Sequence, residues 1–556
     1  MNRTKYHLLF LFIALTLIWS QDADCTVNVE KYLIYPEEAL PKRFWPYQKL
    51  NIDEVNRRFY ALLHETIYEQ TKAGIPEIKI CAEGCIRIVE KDKLFNLKSL
   101  IIDLPEDFET SWIFHDNTKL SAYDIKESME AAKAIGLLTG SLFGDITVND
   151  AGDVEIELNG SPPMSSIAFQ LLKVKIIQAK YTEGIKPNYT KQLMKDPKIR
   201  EYMKSPVGGG PFKYNSKTNK CIVLDKSNEY IMSNKSNTAI EGIKVTLERM
   251  KINHETRLLQ SEALHPRSVN LVMNMPNSLL TQVNSSPEKF IVESSISQSV
   301  DKVIFNFRDH LAKRFFREAI VKSVNRKEIF VERLNNNGCL LSGPYFCQSP
   351  NNCTDVFSHP YDNEAYKIIT NSGNDYSYSE KGKKKKPILN YKGKQVELVF
   401  IHRKDISNEE NVAITFIVQD MKKMGIKVTK KSFSQVSWNT ILRAGTDWDL
   451  AYLTVSQDVA SSVEMEFGSS SSQNFSGYKN ESLDFLFRKE KSESNLLERH
   501  RISCDIHRIL HEDYASMFLW TINTYYVYNR KILNENTIET NAYDFFTSPE
   551  NWHVKK

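Results

Sequence analysis

The stretch VIFNFRDHLAKRFFREAIVKSVNRKEIFVERL, Val303 to Leu334, changes its hydrophobic period within a few residues, and that change limits what the surrounding chain can build. Val303, Phe305 and Phe307 alternate with Ile304 and Asn306, the period of two expected of a strand. From Leu311 the apolar residues Phe315, Ala319, Ile320, Val324, Ile329 and Phe330 recur mainly at three- and four-residue spacings. Arg314, Arg317, Lys322 and Arg326 take the other face, which predicts an amphipathic helix. A strand that feeds a helix near the chain's midpoint is either a crossing between two α/β lobes or an ordinary strand–helix unit. Periodicity alone leaves both open.

Length narrows the choice. A chain of 556 residues exceeds what one compact core holds and suits two or three domains. Its 73 basic and 69 acidic side chains leave a formal charge of +4, too dilute over so large a surface to suggest a nucleic-acid binder. The lysine run in SEKGKKKKPILNYKGK is short and isolated, as expected of a solvated loop.

Arg3 and Lys5 precede an apolar run from Leu8 to Trp19, followed by polar Ser20, Gln21 and Asp22. That is the layout of a secretory signal peptide cleaved near Ser20, and the run falls short of the ~20 residues that span a bilayer. Asp22, Ala23 and Asp24 do not make a lipobox ahead of Cys25, so lipid anchoring there is not expected. No later stretch is apolar enough to span a membrane, and the mature chain is expected to be exported and soluble. Eight cysteines suit an oxidising compartment. Cys81 and Cys85, and Cys339, Cys347 and Cys353, lie close enough in sequence for local bridges. The CxxxC of Cys81 and Cys85 has no histidine pair to complete a zinc site, so disulfides are expected, with connectivity left open.

LKSLIIDL, Leu97 to Leu104, reads as a strand, and Ser121 as the N-cap of a helix beginning at Ala122, with Asp124 at its positive end. His115, Asp116 and Asn117 supply a turn ahead of it, Asn117 tolerating positive φ. ITVNDAGDVEIEL reads as a β-hairpin about Asn149 to Gly152. In SPVGGGPFKY, Gly208 to Gly210 lack the Lys-Ser/Thr of a phosphate cradle and run into strands. Val412, Phe416, Ile417, Met421 and Met424 form a helical stripe ended by Gly425 as the C′ residue. His115 beside Asp116 resembles a general-base pair, yet no nucleophile motif lies nearby. GxSxG, HExxH and P-loop patterns are absent, and no enzymatic activity is expected. His507 and His511, four apart, have metal-ligand spacing, but no carboxylate–histidine pattern surrounds them and a polar helix face is expected.

The segment SWIFHDNTKLSAYDI resembles the W-x-F-H-D-G-x-P-L-T-A-x-D-V signature of family 5 extracellular solute-binding proteins, the dipeptide- and oligopeptide-binding type. Trp112, Phe114, His115, Asp116, Leu120, Ala122, Asp124 and Ile125 fall in register; Asn117, Lys119 and Ser121 replace Gly, Pro and Thr. Pro206, Val207, Gly208, Gly210, Pro211 and Phe212 match the family's P-V-G-T-G-P-Y/F, with Gly209 in place of Thr. FNFRDHLAKRFFREAIVKSVNRKEI is similar to the family's strand, R-x-A-I helix and D-R-x-x-I end, with Asn325 at the Asp position. HPYDNEAYKIITNSG and NFSGYKNESLDFL follow in family order, the latter carrying Asn474, Gly477, Tyr478 and Asp484. The last helix departs from the pattern, with Ala515 and Phe518 where prolines are usual.

The resemblance implies an α/β, two-lobed periplasmic-binding-protein fold with a hinge between the lobes. Residues 1–20 would be the signal peptide, 21–302 lobe 1 with an inserted subdomain at about 55–165, 303–520 lobe 2, and 521–556 the return to lobe 1. It gives Trp112, His115, Asp116, Gly208, Gly210, Asn474 and Tyr478 structural roles. In peptide-binding members the Asp of a G-W-x-x-D turn pairs with the ligand's α-ammonium; counted from Asp447-Trp448, that Asp falls on Asp458. Val455 then stands at the Trp position and Thr454 at the Gly position, while Ser456 and Gln457 would offer backbone groups to an extended peptide. The alternative is that Asp458 caps a turn or helix. The implied partners are a short peptide or similar small solute and an inner-membrane ABC permease, for a periplasmic monomer without cofactor or metal. Nickel complexes, haem and oligosaccharides are carried by other family members. The substituted Trp, Gly and Pro positions also fit a diverged protein acting as a sensor or interaction module.

Overall fold

The computed structural model describes residues 26–552, apart from 29, 38–39, 42–43, 48–53, 72–75, 93–96, 139–141, 161, 163, 186–194, 229, 231–239, 248–268, 274, 276, 296, 382–385, 458–461, 494, 534–537, 542–544 and 548–551. The signal-peptide expectation, Cys25, the middle of the lysine run and Asp458 therefore lie outside the described residues. The chain divides into two compact units. Met1–Gly160, Ser165–Ile296 and Thr524–Lys556 form the first, Ser161–Met164 and Ser297–Asn523 the second. The sequence boundaries at 302/303 and 520/521 fall inside the strands Ser299–Phe305 and Ser516–Thr521, whereas the spatial division falls in the connections beyond them. A strand bonded to neighbours along its whole length belongs to one body, so the division leaves each of these intact.

In the first unit, β1 (Tyr32–Glu37), β6 (Phe212–Lys217), β7 (Cys221–Lys226) and β8 (Gly242–Leu247) form a sheet in the order β1-β8-β7-β6. Only the β1–β8 pair is parallel. A second, antiparallel sheet contains β2 (Ile86–Asp92), β3 (Leu97–Ile102), β4 (Phe143–Val148) and β5 (Val154–Leu158), in the order β2-β3-β5-β4. The hairpin read from ITVNDAGDVEIEL is the β4–β5 pair, with Val148 opposite Val154. Asn149 Oδ1 accepts from the amides of Ala151 and Asp153, and Gly152 takes φ +90°. Helix α1 (Glu54–Leu63) and helix α2 (Ala122–Ala134) belong to the same unit. Ser121 caps α2 as expected and forms a reciprocal capping box with Asp124, satisfying donors that a helix start otherwise leaves open. Strands Leu271–Val272 and Phe290–Ser295 flank Thr524–Asn529, so the chain's return segment pairs inside this unit.

The second unit is built on β9 (Ser299–Phe305), β10 (Cys339–Leu340), β11 (Glu397–Arg403), β12 (Lys427–Phe433), β13 (Leu450–Ser456) and β14 (Ser516–Thr521). Their order is β10-β14-β9-β13-β11-β12. The β11–β12 and β11–β13 pairs are parallel, the rest antiparallel. The alternation in VIF is real. Val303 and Phe305 lie in a core with α3 (Arg314–Ser323) and α4 (Asn408–Lys423), while Ile304 joins Trp438, Leu442 and Trp448 in another around α5 (Gln435–Ala444). Burying both faces is what a sheet with parallel crossovers requires. Phe316 and Ile320, wholly buried on α3, each contribute about 1.5–3 kcal/mol.

Two helix faces differ from the periodic reading. Arg317 and Arg326 are buried, because backbone carbonyls at the ends of neighbouring elements take their guanidinium protons. On α4 the buried stripe is Ala413, Ile414, Ile417, Val418 and Met421, while Val412 is exposed and Phe416, half-buried, lies under the Arg333 guanidinium. Gly425 ends that helix with φ +93°. Cys81 bridges Cys85 and Cys339 bridges Cys347, both local, but Cys353 bridges Cys504 on α8 (Leu496–Glu512). No cysteine is free among the described residues.

Candidate ligand-binding site

Two of the residues singled out for ligand contact, Val455 and Ser456, lie at the end of β13, and Gln457 follows directly. The first two residues of the strand are flanked on both sides, with Leu450 and Ala451 opposite Phe400 and Ile401 of β11. Beyond Ala451 that pairing stops, while pairing with β9 continues to Ser456 opposite Ser299. From Tyr452 to Ser456, β13 thus has a strand neighbour on its β9 side alone among the described residues. An edge of this kind leaves backbone donors and acceptors for an added strand. Val455 is half-buried opposite Val300, and Ser456 is exposed. Gln457 is buried: its amide donates to Gln298 O at 2.8 Å and its Nε2 to Pro344 O at 2.7 Å.

After residues 458–461, Ser462 Oγ donates to Glu490 Oε2 at 2.5 Å, and Ser503 Oγ donates to Glu490 Oε1 at 3.0 Å. Glu490 lies on α7 (Glu481–Ser492) and is fully buried, which raises its pKa. Gln457 and Ser462 are thereby tied on either side of Asp458. Sequence reasoning missed the Glu490 anchor, whose only signal is a carboxylate within an otherwise amphipathic helix. It also missed Lys302, a buried lysine on β9 paired with Glu466 on α6 (Glu464–Phe467) and 5.0 Å from the centre of the Phe467 ring.

Asn474 and Tyr478 fix the turn that follows. Asn474 Nδ2 donates to Gly468 O at 3.1 Å and Tyr478 O at 2.7 Å; Tyr478 OH donates to Asp513 Oδ2 at 2.6 Å. Asn480 caps α7 and also reaches Asp513 Oδ2 at 3.1 Å.

In the first unit the two glycine and tryptophan motifs meet. The His115 amide donates to Gly208 O at 2.9 Å, Gly208 N–H donates to His115 Nδ1 at 3.3 Å, and His115 Nε2 is 2.8 Å from Gly210 O. A ring whose Nδ1 accepts must carry its proton on Nε2, so the neutral Nε2–H tautomer fits both contacts. Gly208 and Gly210 are required by close approach. A Cβ at 208 would lie 1.8 Å from Leu63 O, and one at 210 would lie 2.8 Å from Leu63 C. A Cβ at Gly209 would meet nothing nearer than 3.7 Å, so that position has room for a side chain. Asp116 accepts from Thr118 N, Thr118 Oγ1 and Gln178 Nε2; these donors hold its carboxyl below the usual range against the opposing effect of burial. Trp112 packs edge-on to Tyr230 at 6.4 Å. With both His115 nitrogens engaged by backbone, this turn holds structure and offers no base for chemistry.

His507 and His511 do not form a polar face. His507 is fully buried, accepting Cys353 N–H at Nδ1 and facing Ser342 Oγ, while His511 Nδ1 meets Ser342 O and its ring stacks on His359 at 3.7 Å. Burial lowers the pKa of His507 to about 4 and that of His359 to about 3. No group of three or more His, Cys, Asp or Glu is placed to hold a metal among the described residues. Two open depressions of about 660 and 690 Å³ lie on the second unit around α7, and neither is lined by Val455, Ser456 or Gln457. No helix of the described residues is long and apolar enough to cross a membrane.

Residues 112–476 match the family described as bacterial extracellular solute-binding proteins, family 5 Middle. No curated protein sequence matches the chain. The oligopeptide-binding protein AppA from Bacillus subtilis, solved with a nonapeptide, is similar with a TM-score of 0.69 at 17% identity, over 94% of this chain and 99% of that one. The ABC-transporter substrate-binding protein CtaP from Listeria monocytogenes gives 0.73 at 14% identity, over 94% and 99%. NikA from Staphylococcus aureus, solved with Ni(L-His)2, gives 0.64 at 16% identity, over 95% and 98%. At such identities the likeness establishes the fold, the α/β class implied by the motifs. The family match covers well over half of the chain, which belongs to family 5 of the bacterial extracellular solute-binding proteins.

Proposed function

We propose that the protein is an exported solute-binding protein that captures short peptides and delivers them to an ABC importer. The observation that carries this reading is the one-sided edge of β13 from Tyr452 to Ser456, which leads directly to Asp458. An extended peptide would add to that edge through its main chain, and Asp458 would take its α-ammonium. A desolvated ammonium regains most of its lost hydration from one carboxylate at hydrogen-bonding distance. The AppA likeness, to a protein solved with a nonapeptide, supports the ligand class. Val455 at the family's Trp position removes an aromatic contact beside the amine, so recognition there would rest on backbone groups and charge.

Melting temperatures measured with di-, tri- and longer peptides test the proposal. Saturation at 100-fold Kd stabilises a binding protein by ~2.7 kcal/mol. The Asp458→Ala variant is expected to lose ~2–5 kcal/mol of binding and with it the shift. A wild-type protein indifferent to every peptide, or a variant that responds as wild type does, refutes the reading.

A further inference from the structure

We propose that Asp301 is a positioning residue whose proton completes a hydrogen-bond chain through Thr454 to Glu410, and that this proton fastens the end of β13 carrying Ser456 and Gln457. Its bearing on ligand rests on reading that strand end as the peptide edge.

Asp301 lies on β9 directly opposite Thr454 and is only 4% exposed, where β9 carries a bulge relative to β14. Thr454 Oγ1 is 2.6 Å from Asp301 Oδ1 and 3.1 Å from Glu410 Oε1. Glu410 cannot swing aside freely. It is the third residue of the α4 capping box, and its other oxygen accepts Ser407 N–H at 2.6 Å. Tyr452 and Thr454 face Asp301 from β13 and Trp520 faces it from β14. Glu410 faces it from α4, and Arg403, itself paired with Asp405, adjoins Glu410 from the end of β11.

A threonine hydroxyl has one hydrogen to give. With both carboxylates ionised it serves Asp301, the nearer, and presents a lone pair to Glu410 between two like charges. One added proton resolves the conflict. Protonated Asp301 donates to Thr454 Oγ1, whose own hydrogen goes to the Glu410 carboxylate, and the chain is complete. Burial, reinforced by the Glu410 charge, raises the Asp301 pKa to about 7 against the donors around it. Loss of the proton sets Glu410, fixed by the helix cap, against Thr454. The strand end is then the part free to give, and three residues beyond Thr454 it holds the Gln457 N–H···O=C bond to Gln298.

The experiment uses the full chain. Amide exchange at Gln457, divided by the rate of an unstructured peptide at the same pH, is expected to lose protection by up to about tenfold per pH unit as pH rises from the ordinary carboxylate value near 4 to the folded value of about 7, and to level off above it, because the opened strand end releases a proton that the closed one keeps. A protonated-carboxyl infrared band should fade around pH 7, where Asp301 titrates in the closed strand end. Asp301→Asn is expected to lack the band and show pH-independent protection; if that variant fails to fold, Thr454→Val, which removes the bridging hydroxyl, is expected to keep the band while Gln457 protection no longer follows pH. A wild-type protein with no such band at pH 6, or with Gln457 protection flat across the window, overturns the proposal. Tri-alanine affinity provides a separate arm and is expected to fall with Gln457 protection in wild type alone. Affinity that ignores the titration overturns the link to ligand. Titration as described with no tri-alanine binding refutes the peptide reading and leaves the positioning proton established.

Discussion

Replacing Arg317 by Met tests whether the second unit is held by a cation that periodicity assigns to solvent. The guanidinium donates to four main-chain carbonyls: Nη1 to Leu311 O at 2.8 Å and Ala312 O at 3.1 Å, Nη2 to Asp513 O at 2.7 Å, and Nε to Tyr514 O at 3.1 Å. Its face lies 4.2 Å from the Phe307 ring centre. Burial lowers its pKa to about 10, so it stays charged at neutral pH. The side chain therefore joins the start of α3 to the turn after α8, segments nearly two hundred residues apart in sequence. Each such charged hydrogen bond is worth ~1.5–3 kcal/mol net. Four of them do not add, because the orphaned carbonyls share whatever water enters. The cost of leaving one side of a buried charged contact unmet, ~3–5 kcal/mol, is the better guide.

Met keeps the apolar stem and removes only the donors, so the loss belongs to the hydrogen bonds. With ~4 kcal/mol lost and a urea slope of ~3 kcal/mol per M, the unit's midpoint falls by roughly 1.3 M. Hydrogen exchange by mass spectrometry in urea, followed in peptides covering α3 and β14, reads that midpoint for this unit alone. Arg317→Lys, a point charge without the planar fork, should fall between. A Met variant within 1 kcal/mol of wild type by this measurement would show that water or backbone satisfies the carbonyls and that the guanidinium does not hold the segments together.

Gly208→Ala should cost ~3 kcal/mol or more, since its Cβ cannot share space with Leu63 O and the His115 bonds to Gly208 and Gly210 must open. Gly209→Ala, with ordinary contacts, should melt within a degree or two of wild type, so equal melting points refute the packing argument. Acid should destabilise both units. Burial lowers the pKa of His64 to about 3 and of His507 to about 4, so below the unfolded value near 6.5 the unfolded chain binds protons the folded chain refuses. That stability is whole above pH 6.5 and declines toward those folded values, by ~2.7 kcal/mol per histidine at pH 4.5. Thermal melts of wild type and His507→Gln between pH 7 and 4.5 check it, and parallel curves would refute the assignment.

The motifs that sequence reveals are those whose cause is local. Ser121 caps α2 and Asn117 takes φ +63° because each serves its own turn, and the chain spells this out within a few residues. What Trp112–Asp116 and Gly208–Gly210 do for one another is a different matter, since His115 joins segments 93 residues apart and neither motif names the other. The errors share that origin. Arg317, Arg326 and His507 look like surface residues in any helical projection, which scores a side chain by polarity. Each is buried because its protons or ring nitrogens meet backbone groups or hydroxyls supplied by distant elements. Asp301 is the same case on a strand: in SVDKVIF the carboxylate breaks an apolar run, and nothing in its neighbourhood announces Thr454 or Glu410. A polar residue inside a core pattern therefore marks a long-range contact more reliably than it marks solvent. For the candidate site that distinction matters, because the edge of β13 is legible as a strand, while the anchors on either side of Asp458, Gln298 with Pro344 and Glu490 with Ser503, come from other parts of the second unit.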